Sequence, residues 1–215
     1  MTVFADIFRE YEGLVAKADV VFREMARDYG SSINCRPQCA DCCHAVFGLF
    51  LVEAAYLKQQ FEKLPAEDRQ EALARADKAD KELRRMEQRL EQRLRHYGDD
   101  PRTLAEAMGR ERVRCPLLTD GSECLLYPYR PITCRAYGIP TVSGGRLHVC
   151  WKSGFKKGQS YPAFNLDAVY KELYRLSGIL LEKAGCGDGE RASLLFSVAK
   201  SISTDVQELI TGSSA

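Results

Sequence analysis

The sequence predicts a mainly α protein: a helical domain with a small, irregular, cysteine-rich subdomain that contains a β-hairpin. Three observations support this fold class. Apolar residues recur at helical spacing over several long stretches of the chain. From residue 113 to 160, prolines, glycines and cysteines replace that periodicity. Internal repeats and low-complexity linkers are absent, so residues 1–215 are interpreted as a single domain.

The first predicted helix covers residues 3–29. Its apolar residues lie three or four positions apart, as on one face of a helix: Phe4, Ile7, Tyr11, Leu14, Ala18, Val21, Met25 and Tyr29. A loop that contains Pro37 follows. In residues 45–64, the first half of the segment is compatible with a short extended piece and the second half with a helix, and Gly48 lies near the boundary.

A long charged helix is predicted for residues 65–97, which consist mostly of strong helix formers. One apolar stripe runs along it, and opposite charges four residues apart support its solvated face. The sequence Gly98-Asp99-Asp100-Pro101 predicts its end. The stripe favours a surface helix packed on its own domain over a coiled coil that binds a partner.

A β-hairpin is predicted between Gly138 and Trp151. Its turn is Ser143-Gly144-Gly145, because a Gly-Gly pair favours a tight primed turn. Such a hairpin would fold Cys150 back toward Cys134.

Two C-terminal helices complete the predicted fold within residues 165–211. The first covers about 165–183 and the second about 189–211. Both have apolar residues at helical spacing: Leu166, Val169, Tyr170, Leu173, Leu176 and Leu180 in the first, and Leu194, Leu195, Val198, Ile202, Val206 and Leu209 in the second.

The charge balance argues against several partner classes. The 31 basic and 30 acidic residues give a net charge of +1, so no global field draws the chain to nucleic acid or to an anionic membrane. The longest uncharged apolar stretch, 45–52, is far shorter than the ~20 residues of a membrane-spanning helix. The N-terminal residues carry acids where a secretory signal has basic residues. We therefore expect a cytoplasmic protein with neither nucleic acid nor membrane as a partner.

Cysteine is the most informative residue type, with nine in the chain. The cytosol keeps thiols reduced, so clustered cysteines there favour metal binding or catalysis over disulfides. Residues 33–64 and 113–152 carry the clusters and form the predicted metal-binding part, and the charged helix is inserted between them. The eight predicted metal ligands are Cys35, Cys39, Cys42, Cys43, Cys115, Cys124, Cys134 and Cys150.

The spacing of these cysteines suggests how they are used. Loop cysteines three or four residues apart can wrap one centre, whereas the later ones are widely spaced and must be gathered by tertiary folding. Adjacent Cys42 and Cys43 cannot easily point the same way, so at least one is expected to face a second metal, a second coordination layer or the core. Cys186, which stands alone, is interpreted as a small buried hydrophobe. His44 and His148 adjoin the clusters, and we expect hydrogen bonding beside a site in preference to ligation.

The two cysteine blocks also carry a family resemblance. The stretch CRPQCADCC, followed downstream by CPLLTDGSECLLYPYRPITCRAYG and then by Cys150, resembles the CxxCxxCC family of zinc- or iron-chelating proteins, also called YkgJ-type cysteine-cluster proteins. The second block is the more specific part, and the resemblance covers about residues 33–152. It implies that the eight cysteines are used for metal, with zinc or an iron–sulfur cluster as the group bound.

The identity of the metal stays open between two hypotheses. Eight cysteines could make two tetrahedral zinc sites, but a cubane iron–sulfur cluster also takes four thiolates. The Cys-Pro pair at 115–116 and the aromatic-rich surroundings favour iron. The first hypothesis is an iron–sulfur protein, with [4Fe-4S] as the expected cluster, that is redox-active or supports an enzymatic step. The alternative is a structural zinc protein that acts as a partner-binding module.

Two enzyme classes share part of the cysteine spacing. Cys35, Cys39 and Cys42 match the loop spacing of radical S-adenosylmethionine enzymes, but the alternating strands and helices of a barrel do not follow. Cys39 and Cys42 match a dithiol oxidoreductase in spacing only, because a βαβ pattern is missing. The sequence leaves open whether the protein is an enzyme, and whether it meets a protein partner or a small substrate.

Overall fold

Helices make up most of the fold, which confirms the predicted mainly α class. The computed structural model describes residues 3–97, 107, 109–156 and 158–212. None of the helices described there combines the length and the apolarity needed to cross a bilayer. The helices are α1 (Ala5–Tyr29), α2 (Leu51–Phe61), α3 (Ala66–Tyr97), α4 (Ile132–Ala136), α5 (Leu166–Lys183), α6 (Val198–Ser203) and α7 (Val206–Thr211), and the strands are β1 (Thr141–Ser143), β2 (Arg146–His148) and β3 (Phe164–Asn165).

Helix α2 lies at the centre of the larger hydrophobic core. It is buried on nearly every side, because its first two turns are apolar all round apart from one acid. Helix α1 packs one stripe against it, and the Tyr11 and Tyr56 rings are in contact, with centroids 5.0 Å apart. The predicted helix over 3–29 and the switch from extended chain to helix within 45–64 are both confirmed.

Helix α3 is the predicted charged helix, and it packs on α6 of its own chain. Its buried stripe is formed by Ala72, Ala76, Ala79, Met86 and Leu90. On its solvated face, ion pairs join residues four apart, such as Lys81 with Asp77 at 2.6 Å. The predicted end of this helix at 98–101 lies outside the described residues.

The small sheet has the order β2-β1-β3. The predicted hairpin is confirmed: β1 pairs antiparallel with β2, and Val142 lies opposite Leu147. Gly144 and Gly145 adopt φ angles of 58° and 68°, the left-handed region that a primed turn requires at both positions. Strand β3 pairs parallel with β1, a contact that the sequence pattern does not predict.

The single helix predicted for 189–211 is wrong. Residues Gly189–Ser193 form a 3₁₀ turn. Phe196 is extended and exchanges two backbone hydrogen bonds with Leu49, each 2.8 Å long. Helical structure then resumes as two short helices in place of one long one.

The reason for this interruption is local capping. The Ser197 side chain accepts a hydrogen bond from the backbone N–H of Lys200, and the Asp205 side chain accepts one from Gln207. Each side chain satisfies a backbone donor at the start of a new helix and so favours a restart at that point. The apolar spacing fits two short helices as well as one long helix.

Glu53 is an acid buried in α2, with 2% of its surface exposed. Its Oε1 accepts hydrogen bonds from the backbone N–H of Ile132 (3.1 Å) and from the Tyr11 hydroxyl (3.4 Å). The bond to Ile132 caps the N-terminus of α4. Burial raises the pKa of Glu53 to about 7.

This raised pKa predicts a pH dependence of stability. The pKa is higher in the folded than in the unfolded chain, so the contribution of Glu53 is fully present below its unfolded pKa and is lost as the pH rises toward about 7. From pH 5 to pH 8, wild-type protein is expected to lose roughly 2 kcal/mol relative to Glu53→Gln. Urea unfolding of both proteins at the two pH values measures this difference. Glu91→Gln, an exposed acid paired with Arg95, is the control and should follow the wild type; equal pH profiles for all three proteins would contradict the prediction.

Candidate metal centre

Backbone pairing joins the first cysteine loop to the second. The N–H of Cys115 donates to the carbonyl of Cys43 (2.7 Å), and the N–H of Val113 donates to that of His44 (3.0 Å). Two cysteines that are 72 positions apart in the chain thereby become neighbours.

A tight reversal then brings Cys124 next to Cys115. The N–H of Leu118 donates to the carbonyl of Cys115 (3.1 Å), and the N–H of Leu125 donates to the carbonyl of Leu117 (2.9 Å). The sequence Thr119-Asp-Gly-Ser-Glu forms the turn between them. These bonds hold the backbone so that the thiols of Cys115 and Cys124 lie close to each other.

Helix α4 supplies Cys134, and its next residue, Arg135, fixes the helix in place. The Nη1 atom of Arg135 donates to both carboxylate oxygens of Asp19 on α1, at 2.9 and 2.8 Å. Its Nε donates to the carbonyl of Arg130 (2.8 Å), and its Nη2 donates to the carbonyl of Pro128. The position of Cys134 therefore depends on a buried arginine that connects α4, the preceding turn and α1.

Five cysteines, here named the inner group, line one cavity of about 70 Å³. They are Cys42, Cys43, Cys115, Cys124 and Cys134. Apolar side chains complete most of the wall, among them Val46, Phe47, Leu83, Val113 and Leu126. Arg130 also lines the cavity, and its guanidinium lies 3.7 Å from the centre of the Tyr127 ring. The inner group thus combines five thiols with a mainly apolar wall.

The other three predicted ligands, Cys35, Cys39 and Cys150, are here named the outer group. Burial, followed by the nearby thiolates of Cys39 and Cys150, raises the pKa of Cys35 to about 11. A hydrogen bond of 2.8 Å from the N–H of Gly154 to the carbonyl of Ser32 holds the two loops together. The hairpin therefore returns Cys150 to the first cysteine loop, and the predicted fold-back toward Cys134 stays a prediction.

Burial controls the protonation of the inner group. It raises the pKa of Cys115 to about 12 and that of Cys134 well above the ordinary value for a thiol. The Cys43 thiol donates a hydrogen bond to the Cys42 sulfur, which lowers the pKa of Cys42 and raises that of Cys43. A metal that binds here must displace protons, so its affinity is expected to fall as the pH falls.

The thiols of the inner group are the type of ligand that a thiolate-bound metal needs, although they do not surround one point in the structure. Within the described part of the chain, no three His, Cys, Asp or Glu side chains surround one point as metal ligands. All nine cysteines are free thiols. Thiolate sulfur is the ligand preferred by zinc and by iron–sulfur clusters, and the inner group presents it with few competing oxygens. The eight-cysteine ligand set stays a prediction.

The two histidines beside the clusters contact backbone carbonyls. His44 Nδ1 lies 3.0 Å from the oxygen of Ala40, and His148 Nε2 lies 3.3 Å from that of Ser143. Cys186 packs against the core, and its thiol donates to the carbonyl of Ile210 at 3.7 Å. The structural role of Cys186 and the role of the histidines beside the site stay predictions.

Sequence reasoning missed three acids that hold the cysteine-bearing segments: Asp19, Asp41 and Glu53. Asp19 pairs with Arg135, and Glu53 caps α4. Asp41 lies between Cys39 and Cys42, and its burial is unusual for an acid. That position within the first cluster was the one local signal that could have pointed to it.

Gly138 lies against the sulfur of Cys35, which gives a testable prediction. A Cβ atom on Gly138 would lie 2.1 Å from Cys35 Sγ, a distance that forces the sulfur to move. Gly138→Ala is therefore expected to lower the metal bound per chain at the outer group and, because the sulfur that must move belongs to an exposed residue, to cost no more than about 1 kcal/mol of stability. Elemental analysis and urea unfolding measure the two effects.

Gly30→Ala is the matched control for this variant. A Cβ atom there meets open space, and the φ of Gly30 is −55°, which any residue adopts. The control should keep the wild-type metal content. If the two variants behave alike, the close packing of Gly138 on Cys35 does not matter to the site.

Comparison with known proteins gives one match. The family model described as "CxxCxxCC: putative zinc- or iron-chelating domain" matches residues 34–150, more than half of the chain, and that span includes all eight predicted ligands. No curated protein and no solved structure matches the chain. The match supports metal binding, with zinc or iron as the metal.

Proposed function

The chain belongs to the CxxCxxCC zinc- or iron-chelating family, and from this premise we propose that its inner group holds an iron–sulfur cluster, with [4Fe-4S] as the expected type. The proposed ligands are Cys43, Cys115, Cys124 and Cys134. The observation that carries the proposal is that these thiols line one cavity with a mainly apolar wall.

The cavity favours a cluster over a single ion for two reasons. A cubane of iron and sulfide occupies space between its ligands, whereas a lone zinc ion draws four sulfurs to within about 2.3 Å of one point. Apolar walls also keep water from the bound group, one of the factors that set the potential of an iron–sulfur centre. When bound, such a cluster supplies one-electron transfer.

Arg130 balances charge in this arrangement. Burial raises the pKa of Cys124 and Cys134, and the nearby Arg130 guanidinium acts in the opposite direction on both. An arginine that stays protonated offsets part of the negative charge of four thiolates. The stacking of Arg130 on Tyr127 holds the guanidinium beside the cavity.

Cys42 and the outer group make a second set of four thiols. Cys42 lines the inner cavity, and, besides burial, its charge raises the pKa of Cys35 in the outer group as it does those of Cys115, Cys124 and Cys134 in the inner group. The structure brings the adjacent Cys42 and Cys43 to the same cavity, but four thiolates suffice for one cluster, so we assign Cys42 to a second centre with Cys35, Cys39 and Cys150. Two centres of four cysteines then account for all eight predicted ligands.

Structural zinc is the second candidate function. The observation that favours it is the outer group, where Cys35 is only partly buried and more exposed than the other cysteines, and where the spacing in the first loop is short. A closed four-cysteine zinc site would fix the two loops together and leave the helices to bind a partner. In that case the protein is a stabilised scaffold without redox chemistry.

Elemental analysis with acid-labile sulfide, on protein purified anaerobically, distinguishes these candidates. Iron with matching sulfide, and broad absorption near ~400 nm, is the expected result. Zinc alone, at one or two per chain, would overturn the iron–sulfur proposal and support the scaffold. A chain that binds neither metal after anaerobic reconstitution would overturn both.

We also propose a reducing compartment, the cytoplasm, as the location, because eight thiols remain available as ligands only while they are reduced. The balanced charge of the chain argues against nucleic acid or a membrane as partner, and we propose a protein partner or a small substrate instead. Fractionation of the native host tests the location, and salt-dependent binding to single-stranded DNA or anionic vesicles would contradict the partner class.

A further inference from the structure

Asp41 is a buried carboxylate in the middle of the first cysteine loop. Only 8% of its surface is exposed. It begins the 3₁₀ turn Asp41–His44, which also carries Cys42 and Cys43. A carboxylate in such a position costs free energy unless other groups compensate for its lost hydration.

Four groups from two other segments supply that compensation. Asp41 Oδ1 accepts a hydrogen bond from Trp151 Nε1 at 3.0 Å and pairs with Lys152 Nζ at 3.5 Å. Asp41 Oδ2 accepts from the Cys150 thiol at 3.7 Å and pairs with an Arg112 Nη atom at 3.7 Å. One side chain thus contacts three consecutive residues of the loop that follows the hairpin.

We propose that Asp41 is a positioning residue, which holds Cys150 against the first cysteine loop so that the outer group can close on a metal. The proposal rests on the proposed function for its metal, but the geometry of Asp41 is independent of it. Within the described residues, no other acid in the first cysteine loop or in the loop after the hairpin is buried. None there could therefore take the place of Asp41. Removal of Asp41 would leave Arg112 and Lys152 without their shared counter-charge and would free the loop that carries Cys150.

Asp41 acts through other residues and is not itself assigned as a ligand. Both of its oxygens are engaged by donors and cations in the structure. Thiolates are also the softer ligands, and four of them are present in this part of the protein. Its replacement should therefore weaken the outer centre without removing any ligand.

The first experiment uses the full chain, reduced and free of metal, and measures how fast iodoacetamide alkylates each cysteine. Asp41→Ala is expected to make Cys150 react on the order of tenfold faster, because its thiol loses a charged acceptor and its loop loses an anchor. Cys186 should keep its wild-type rate. Asp77→Asn is the control, since Asp77 is an exposed acid on α3 that also pairs with a cation, Lys81.

The second experiment loads the same proteins with metal and follows two signals. Metal content should fall by about one centre in Asp41→Ala and stay unchanged in the control, and Asp41→Asn, which keeps an oxygen for Trp151, should fall between them. Trp151 is the only tryptophan in the chain, so a change in its emission reports on this loop alone.

The outcomes separate this proposal from the proposed function. Unchanged Cys150 reactivity in Asp41→Ala would overturn the positioning role, as would an equal rise at every cysteine, since that indicates general unfolding. A wild-type chain that binds no metal would overturn the proposed function, while the alkylation rates would still decide whether Asp41 positions Cys150.

Discussion

Replacement of Cys134 by serine is expected to abolish metal binding at the inner group and to lower the free energy of unfolding of the loaded protein by more than about 3 kcal/mol. A serine hydroxyl is a poor substitute for a thiolate, and the binding energy of a structural metal is largely folding energy. Cys134 lies on α4, which is held from both ends, so the helix cannot easily supply another ligand. Metal per chain and urea unfolding measure the two effects.

Two further variants make this result specific. Cys186→Ser removes a thiol that contacts only core and backbone groups, and it should change neither metal content nor stability by much. Cys39→Ser should remove the metal of the outer group and leave that of the inner group. Full metal retention in Cys134→Ser would remove this residue from the ligand set, and complete loss of metal in both the Cys39 and the Cys134 variants would favour one shared centre over two.

Most of the helical fold was predictable because it depends on local pattern. The periods of α1, α3 and α5 are visible over many residues, and Gly144-Gly145 specifies a hairpin turn that few other residues can adopt. The prediction for the C-terminal region was wrong because the period of its apolar residues is compatible with one helix or two. Ser197 and Asp205 are the capping residues that start two separate helices. The prediction followed the apolar spacing and did not use these caps.

The candidate site was predictable as a set of residues but not as a geometry. Clustered cysteines stand out in composition, so the eight proposed ligands could be named from the sequence. Which of them share a cavity depends on contacts between distant segments, such as the backbone bond from Cys115 to Cys43. The placement of Cys150 depends on Asp41. The Asp41 carboxylate accepts a hydrogen bond from the Cys150 thiol, although the two residues are 109 positions apart in the chain. No local pattern encodes either contact.

Substitution of Arg135 is also expected to have a large effect on stability, although a count of cysteines does not identify this residue. All three of its guanidinium nitrogens are engaged: one by Asp19, one by the carbonyl of Arg130 and one by that of Pro128. Lysine keeps the positive charge but has one nitrogen, so Arg135→Lys can satisfy only part of this set. We expect it to destabilise the protein by about 3 kcal/mol, because two partly buried backbone carbonyls and a partly buried carboxylate lose donors.

Loss of the Arg135 contacts should also affect metal binding, since Arg135 is adjacent to Cys134 and connects α4 to α1. Arg135→Lys is therefore expected to lower metal affinity at the inner group although every thiol remains. Arg9→Lys is the matched control, because Arg9 is exposed and pairs with an exposed acid, Asp6, and such pairs contribute little. If Arg135→Lys unfolds and binds metal like this control, then the capping of α4 by Glu53 and the packing of Ile132 are sufficient to hold Cys134. The buried arginine would then serve only to satisfy the carbonyls around it.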